Sequence, residues 1–276
     1  MQKKLKSAEL FLSLGLATTL FACARPSADI SGDNGEAANA PTEKVMDEGQ
    51  TSHSGGEGDE GGEGSASGDP DVDYMTTLAL MKGHLLVAEE LVAAGNYKEA
   101  EPHIGHPVEE LYGGIEEQLA ARKVTDFKAD LNQLSDLSKS APDSAEMKTQ
   151  FAKALAGIDG AIAAIPDTQR QSPDFVMAVI INSLNTAAEE YKAAIADNKF
   201  VEIVEYQDSK GFVEYSEQLY QTISDQMSAS NPQAHATITQ NLAELKTAWP
   251  SIQPPAAPIK SPEEVDSLVS EIELSQ

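Results

Sequence analysis

"SPDFVMAVIINSLNTAAEEYKAA", residues 172–194, decides the fold. Ser172 is a helix-capping type, and Pro173 suits a first helical position because its missing N–H would have no partner there. Val176, Val179, Ile180, Leu184, Ala187 and Tyr191 then recur at steps of three and four, the period of a helix with one apolar face. The pattern repeats in both directions. Leu78, Met81, Leu85, Ala88 and Val92 form a stripe that Gly95 closes. Pro107 opens a second, with Val108, Leu111, Ile115 and Leu119. Thr125 caps a shorter helix carrying Phe127, Leu131 and Leu134. Ser144 starts one with Met147, Phe151, Leu155, Ile158 and Ile162, ended by Pro166. Phe212 to Met227 carries Leu219 and Ile223, and Asn231-Pro232 opens a last core helix running to Trp249. No run alternates with period two, so strands are not needed. The expected fold is all-α, an up-and-down helical bundle over residues 74–249 forming one domain.

Two echoes run through it. "AEELVAAGNYKEAE" at 88–101 resembles "AEEYKAAIADNKFVE" at 188–202, and "VEELYGGIEEQL" from Val108 resembles "VEYSEQLYQTI" from Val213. They predict two pseudo-repeated helical hairpins. Residues 250–276 add a proline-rich segment and a short terminal helix. Ser261 and Glu264 form a capping box for it, and its stripe of Val265, Leu268, Val269 and Ile272 should dock on the bundle or on a partner.

The other end gives an address. In "MQKKLKSAELFLSLGLATTLFAC", residues 1–23, Lys3, Lys4 and Lys6 precede an apolar run from Leu10 to Ala22, too short to span a bilayer. Leu20-Phe21-Ala22-Cys23 resembles a bacterial lipobox, which implies a signal peptide over 1–22 and a lipidated Cys23 carrying palmitate-type acyl chains. Cys23 is the single cysteine, so no disulfide competes for it. Membrane attachment through that lipid is the expected partnership. The expected location is the cell envelope, at the outer membrane facing the periplasm or the cell surface where the host has two membranes, since Ala24 follows the cysteine. Residues 23–73 read as an acidic Gly/Ser-rich tether, too poor in apolar side chains to fold. The net charge of −26 disfavours nucleic acid and anionic lipid and favours cations.

"HIGHPVEELY", 103–112, is the candidate chemistry. His103, His106 and Glu109 stand at steps of three, and imidazole with carboxylate suits zinc, iron, copper or manganese. Pro107 disfavours helical geometry before it, so His103 and His106 would come from a connection. His84 lies on the edge of the first stripe, and Asp208, in "EYQDSKGF" at 205–212, falls opposite by the echo. Both are candidates to complete the metal site. The alternative is helix-start chemistry: His106 as an N-cap, Pro107 first in the helix, Glu109 and Glu110 favoured by its dipole. "EYQDSKGF" would then be a break between helices, with Asp208 or Ser209 capping the second. The chain has no nucleophile elbow, P-loop or HExxH, and thiol chemistry has no cysteine to use, so catalysis has little support.

"HIGHPVEELY", "EYQDSKGF" and the lipobox together resemble a family of exported bacterial helical lipoproteins. More loosely, the chain resembles imelysin-like periplasmic proteins, which are all-helical, built of two related halves, linked to iron uptake and marked by Gly-x-His-x-x-Glu. His106 and Glu109 match that motif, while Gly105 stands directly before the histidine rather than one residue earlier. The resemblance implies a metal-binding envelope protein. The alternatives are an interaction lipoprotein without metal and a metal-dependent hydrolase.

Overall fold

Helix α1 (Pro70–Ala93) starts behind an Asp69 cap whose side chain accepts from Asp71 N–H. It begins four residues before Tyr74, the first residue of the expected bundle. Gly95, at φ +79°, closes it as the stripe predicts. The computed structural model describes residues 67–276; the signal stretch, Cys23 and the tether up to residue 66 lie outside the described residues. Among the described residues no helix is long and apolar enough to cross a membrane.

The chain continues through α2 (Tyr97–His106), a π turn (Pro107–Leu111), α3 (Tyr112–Ala121), α4 (Lys128–Ser140) and α5 (Ala145–Ala163). The short α6 (Asp167–Arg170) leads to α7 (Pro173–Ala193), α8 (Ile203–Ser230), α9 (Pro232–Leu245) and α10 (Pro262–Glu273). α7 packs on α8, α8 on α9, α9 on α10, and α10 back on α7. α1 packs on α2, α2 on α4, α4 on α5, and α5 back on α1. The bundle is thus two four-helix rings in the same sequence order, joined where α1 lies against α7 and α8. Leu78, Leu85, Ile180, Leu184 and Ile223 are fully buried in the shared core. Each such side chain contributes roughly 1.5–3 kcal/mol relative to exposure.

Several caps fall where the sequence puts them. Ser144 accepts from Met147 N–H, Asn231 from Ala234 N–H, and the Ser261–Glu264 box closes in both directions. The α10 stripe docks on α7 and α9 of its own chain, with Val265, Val269 and Ile272 buried.

Four expectations are corrected. α4 starts behind Phe127, which makes no side-chain cap; the Asp126 carboxylate before it accepts from Lys128 N–H at 2.9 Å, and Thr125 is not the cap. A two-residue ribbon, β1 (Ile195–Ala196) against β2 (Lys199–Phe200), joins α7 to α8. Asp197 and Asn198 make its turn at φ +50° and +57°, the conformation a tight hairpin demands. α8 does not break at 205–212 but runs unbroken from Ile203, so neither Asp208 nor Ser209 is a cap. His106 is no N-cap either. Its φ −49° and ψ −44° are helical, and α2, the π turn and α3 follow one another without a gap.

Candidate metal centre

The site forms where α1, α2 and α8 meet. Gly83 and Gly211 set that meeting. A Cβ on Gly211 would lie 2.3 Å from Gly83 O, so the two backbones touch where only glycine fits. His84 follows Gly83 on α1, and Asp208 stands one turn before Gly211 on α8. The close approach brings His84 Nδ1 to 2.6 Å from Asp208 Oδ1.

α2 supplies the other imidazoles. Pro102 lies inside it and Pro107 directly after it. A proline inside a helix removes a hydrogen bond and crowds the carbonyl four residues back, here that of His103. The helix answers with a widened turn in which Tyr112 N–H bonds to Pro107 O, a five-residue step. Such single π turns occur often at functional sites. His103 Nδ1 comes to 2.7 Å from Asp208 Oδ1 and His106 Nδ1 to 3.3 Å from Asp208 Oδ2. One donor atom from each of His84, His103, His106 and Asp208 lies within 4.8 Å of the others.

Burial is graded. His84 and His103 are 0 % exposed and Asp208 1 %, while the His106 side chain is 17 % exposed. The His84 ring stands edge-on to Phe212 at 4.9 Å and to His106 at 5.0 Å between centroids. Burial pushes the Asp208 carboxyl up. The charges of His103 and His84 and the hydrogen bond from His103 outweigh it and hold the group well below the usual carboxylate range. Burial pushes His106 down, but its contact with Asp208 and the nearby Glu110 charge prevail over repulsion from His84, and the imidazole ends raised. At 3.3 Å, His106 Nδ1 and Asp208 Oδ2 attract as charges without lining up as a hydrogen bond, and neither atom has a hydrogen-bond partner.

The arrangement fits a cation. Three imidazole nitrogens and one carboxylate oxygen converge, and two orphaned polar atoms face the same space. Of the residues singled out in the sequence, the structure brings together His84, His103, His106 and Asp208. It does not bring Glu109, which is exposed. A Cβ at Gly105 would lie 3.2 Å from Glu109 Oε1, so this carboxylate folds back over its own helix. The reason is the π turn. On a plain α-helix, positions three apart share a face, but the widened turn inserts a residue, and Glu110 takes the place beside His106 at 3.6 Å.

Sequence reasoning missed Gln207, which accepts from His103 Nε2 at 2.8 Å. It also missed the glycine pair, although Gly83 directly precedes His84. His235 sits apart, stacked on Tyr220.

Residues 166–275, from before α6 to α10, match the iron permease-associated 4-helix bundle domain. The matched stretch includes the whole second ring, with Asp208 and Gln207; His84, His103 and His106 precede it. No curated protein and no solved structure matches the chain.

Proposed function

We propose that this protein is a lipid-anchored component of the bacterial cell envelope whose helical body holds one first-row transition-metal ion and serves iron uptake. One observation carries the metal reading: three imidazole Nδ1 atoms converge on a single buried carboxylate, with two facing atoms left without hydrogen-bond partners. Buried polar atoms are costly unless satisfied, and a cation satisfies both. Three imidazoles to one carboxylate favour zinc, copper or iron over manganese, which prefers oxygen. The match to an iron permease-associated domain makes iron the first candidate cargo. The donors are sealed from solvent except at His106, so the site takes a bare ion rather than a bulky chelate or haem. A hydrolase would need an open coordination position in a cleft, and the burial of His84, His103 and Asp208 argues against it.

The chain's own residues do the holding. Asp208 neutralises charge, His84 and His103 fix two positions from the interior, and His106 closes the solvent side. The plan of two related helical halves is that of imelysin-like proteins, with Asp208 in the role that resemblance gave to Glu109. The anchor rests on the lipobox-like Leu20-Phe21-Ala22-Cys23. Two measurements test the reading. Elemental analysis of the protein, purified after exposure to Fe(II), Cu(II) and Zn(II), should find one ion per chain; none would sink the metal reading. Cys23→Ser should leave the membrane fraction or remain unprocessed, and a normally processed variant still in membranes would sink the anchor.

A further inference from the structure

We infer that Gln207 is the positioning residue of this centre: it keeps a proton on His103 Nε2, so that Nδ1, beside Asp208, is the nitrogen left to take a cation. The inference rests on the metal-binding reading and goes past it to how the site is kept ready.

Gln207 is 1 % exposed and uses both ends of its amide. Its nitrogen donates to Ile252 O at 3.2 Å. A carbonyl only accepts, so the amide NH₂ must point there and the amide oxygen must face His103. That oxygen lies 2.8 Å from His103 Nε2 and also only accepts. His103 therefore carries a proton on Nε2. Nδ1, 2.7 Å from the Asp208 Oδ1 carboxylate oxygen, donates its own proton there in the metal-free protein, and this proton, not the one on Nε2, is the one a cation would displace. Without Gln207 nothing holds the Nε2 proton, and the Asp208 carboxylate keeps a single proton on Nδ1, which leaves the lone pair on the nitrogen that faces away from the site.

The carbonyl behind Gln207 is itself fixed. Tyr206 OH donates to Ser251 O at 2.8 Å, and Trp249 Nε1 donates to Ser209 Oγ at 2.8 Å. The segment after α9 is thus tied to three residues of the first turns of α8: Tyr206, Gln207 and Ser209. A run of the chain that supplies no ligand sets the proton position of one that does. Partners of this kind orient metal-binding histidines and raise their basicity.

Two variants of the full chain test this. Gln207→Met keeps the volume and loses both hydrogen bonds. Gln207→Glu keeps an acceptor for His103. Zn(II) affinity, read by competition with a chromophoric chelator, should fall about 10- to 100-fold in Gln207→Met. It should stay within about threefold of wild type in Gln207→Glu, where the acceptor is rescued. Long-range ¹H–¹⁵N spectra of the metal-free protein should show a proton on His103 Nε2 in wild type and Gln207→Glu, and none there in Gln207→Met. A Gln207→Met protein with the proton still on Nε2 would overturn the inference whatever its Zn(II) affinity, since any loss would then be general loosening. A wild type that takes no Zn(II) would instead end the metal reading, and the proton positions would still decide the role of Gln207.

Discussion

In the first ring, the second long helix is interrupted. Pro102 and Pro107 bracket the histidines, a π turn follows, and α3 resumes at Tyr112. In the second ring, the corresponding helix α8 runs unbroken from Ile203 to Ser230. The echo that aligns Val108 with Val213 also aligns His103 with Asp208, five residues before each. These two side chains are hydrogen-bonded at 2.7 Å. His84, His103 and His106 come from the first ring and Asp208 from the second. The centre therefore sits on the seam of the two rings. One ring lends loosened backbone and imidazoles, and the other lends a rigid helix and a carboxylate. A likeness confined to residues 166–275 covers only the second contribution.

If the seam is what makes the centre, wedging it open should do the most damage. Gly211→Ala puts a methyl against Gly83 O, where a Cβ has 2.3 Å of room. Overpacking of this kind costs about 1–3 kcal/mol or more. The Tm should fall by about 5–10 °C, and metal binding should be lost with it. An unchanged melt would show that the helices part freely and that the seam is not tight.

Asp208→Asn removes the contribution of the rigid ring and leaves the imidazoles facing a neutral group. It should abolish tight metal binding and cost roughly 1–3 kcal/mol in the metal-free protein at neutral pH. It should also change the acid limb of stability. Asp208 is held well below the usual carboxylate range when folded, so its contribution is present above about pH 4 and is lost as pH falls through the folded value. His106 has the opposite sign. Its raised value contributes below about pH 6.5, and that contribution fades as pH rises through the folded value. Urea unfolding between pH 3 and 8 should therefore lose its steep acid slope in Asp208→Asn; a slope equal to wild type would mean Asp208 is not the buried anion of the seam.

The loosened ring is tested more finely. His103→Ala and His106→Ala should each weaken metal binding at least tenfold, and His235→Ala should not. Glu109→Gln should change affinity by less than about threefold, because its carboxylate lies over Gly105 and away from the donors. A large loss in Glu109→Gln would mean that the plain helical spacing, and not the widened turn, describes the loaded protein.

Most helices were legible in the sequence because each buries one periodic stripe and carries a cap or breaker of known chemistry; α2 was not, since Pro102 and Pro107 made the run holding His103 and His106 read as a connection. His84, His103, His106 and Asp208 were legible as candidates because imidazole and carboxylate interrupt apolar faces. What was not legible depends on backbone placement. Pro107 reads locally as a helix start, yet packing against α1 and α4 keeps the helix going and diverts the strain into a π turn. That one inserted residue exchanged Glu110 for Glu109. "EYQDSKGF" reads as a break because its polar residues interrupt an apolar pattern, but Gln207, Asp208 and Ser209 are polar because they face the centre and its support. Gly83 and Gly211 carry no periodic signal at all, since their role is the absence of a side chain where two helices touch.

The central claim is that one ion is held on the seam by both rings together. The most direct measurement is titration of wild type and Asp208→Asn, each with intact α1 and α2, against Fe(II), Zn(II) and Cu(II) at neutral and mildly acidic pH. Wild type should bind one ion per chain at about micromolar Kd or tighter, weaken as pH falls through the imidazole range because imidazole must be neutral to coordinate, and lose the site in Asp208→Asn. No site tighter than about millimolar for any of the three, or equal binding by Asp208→Asn, would contradict the account.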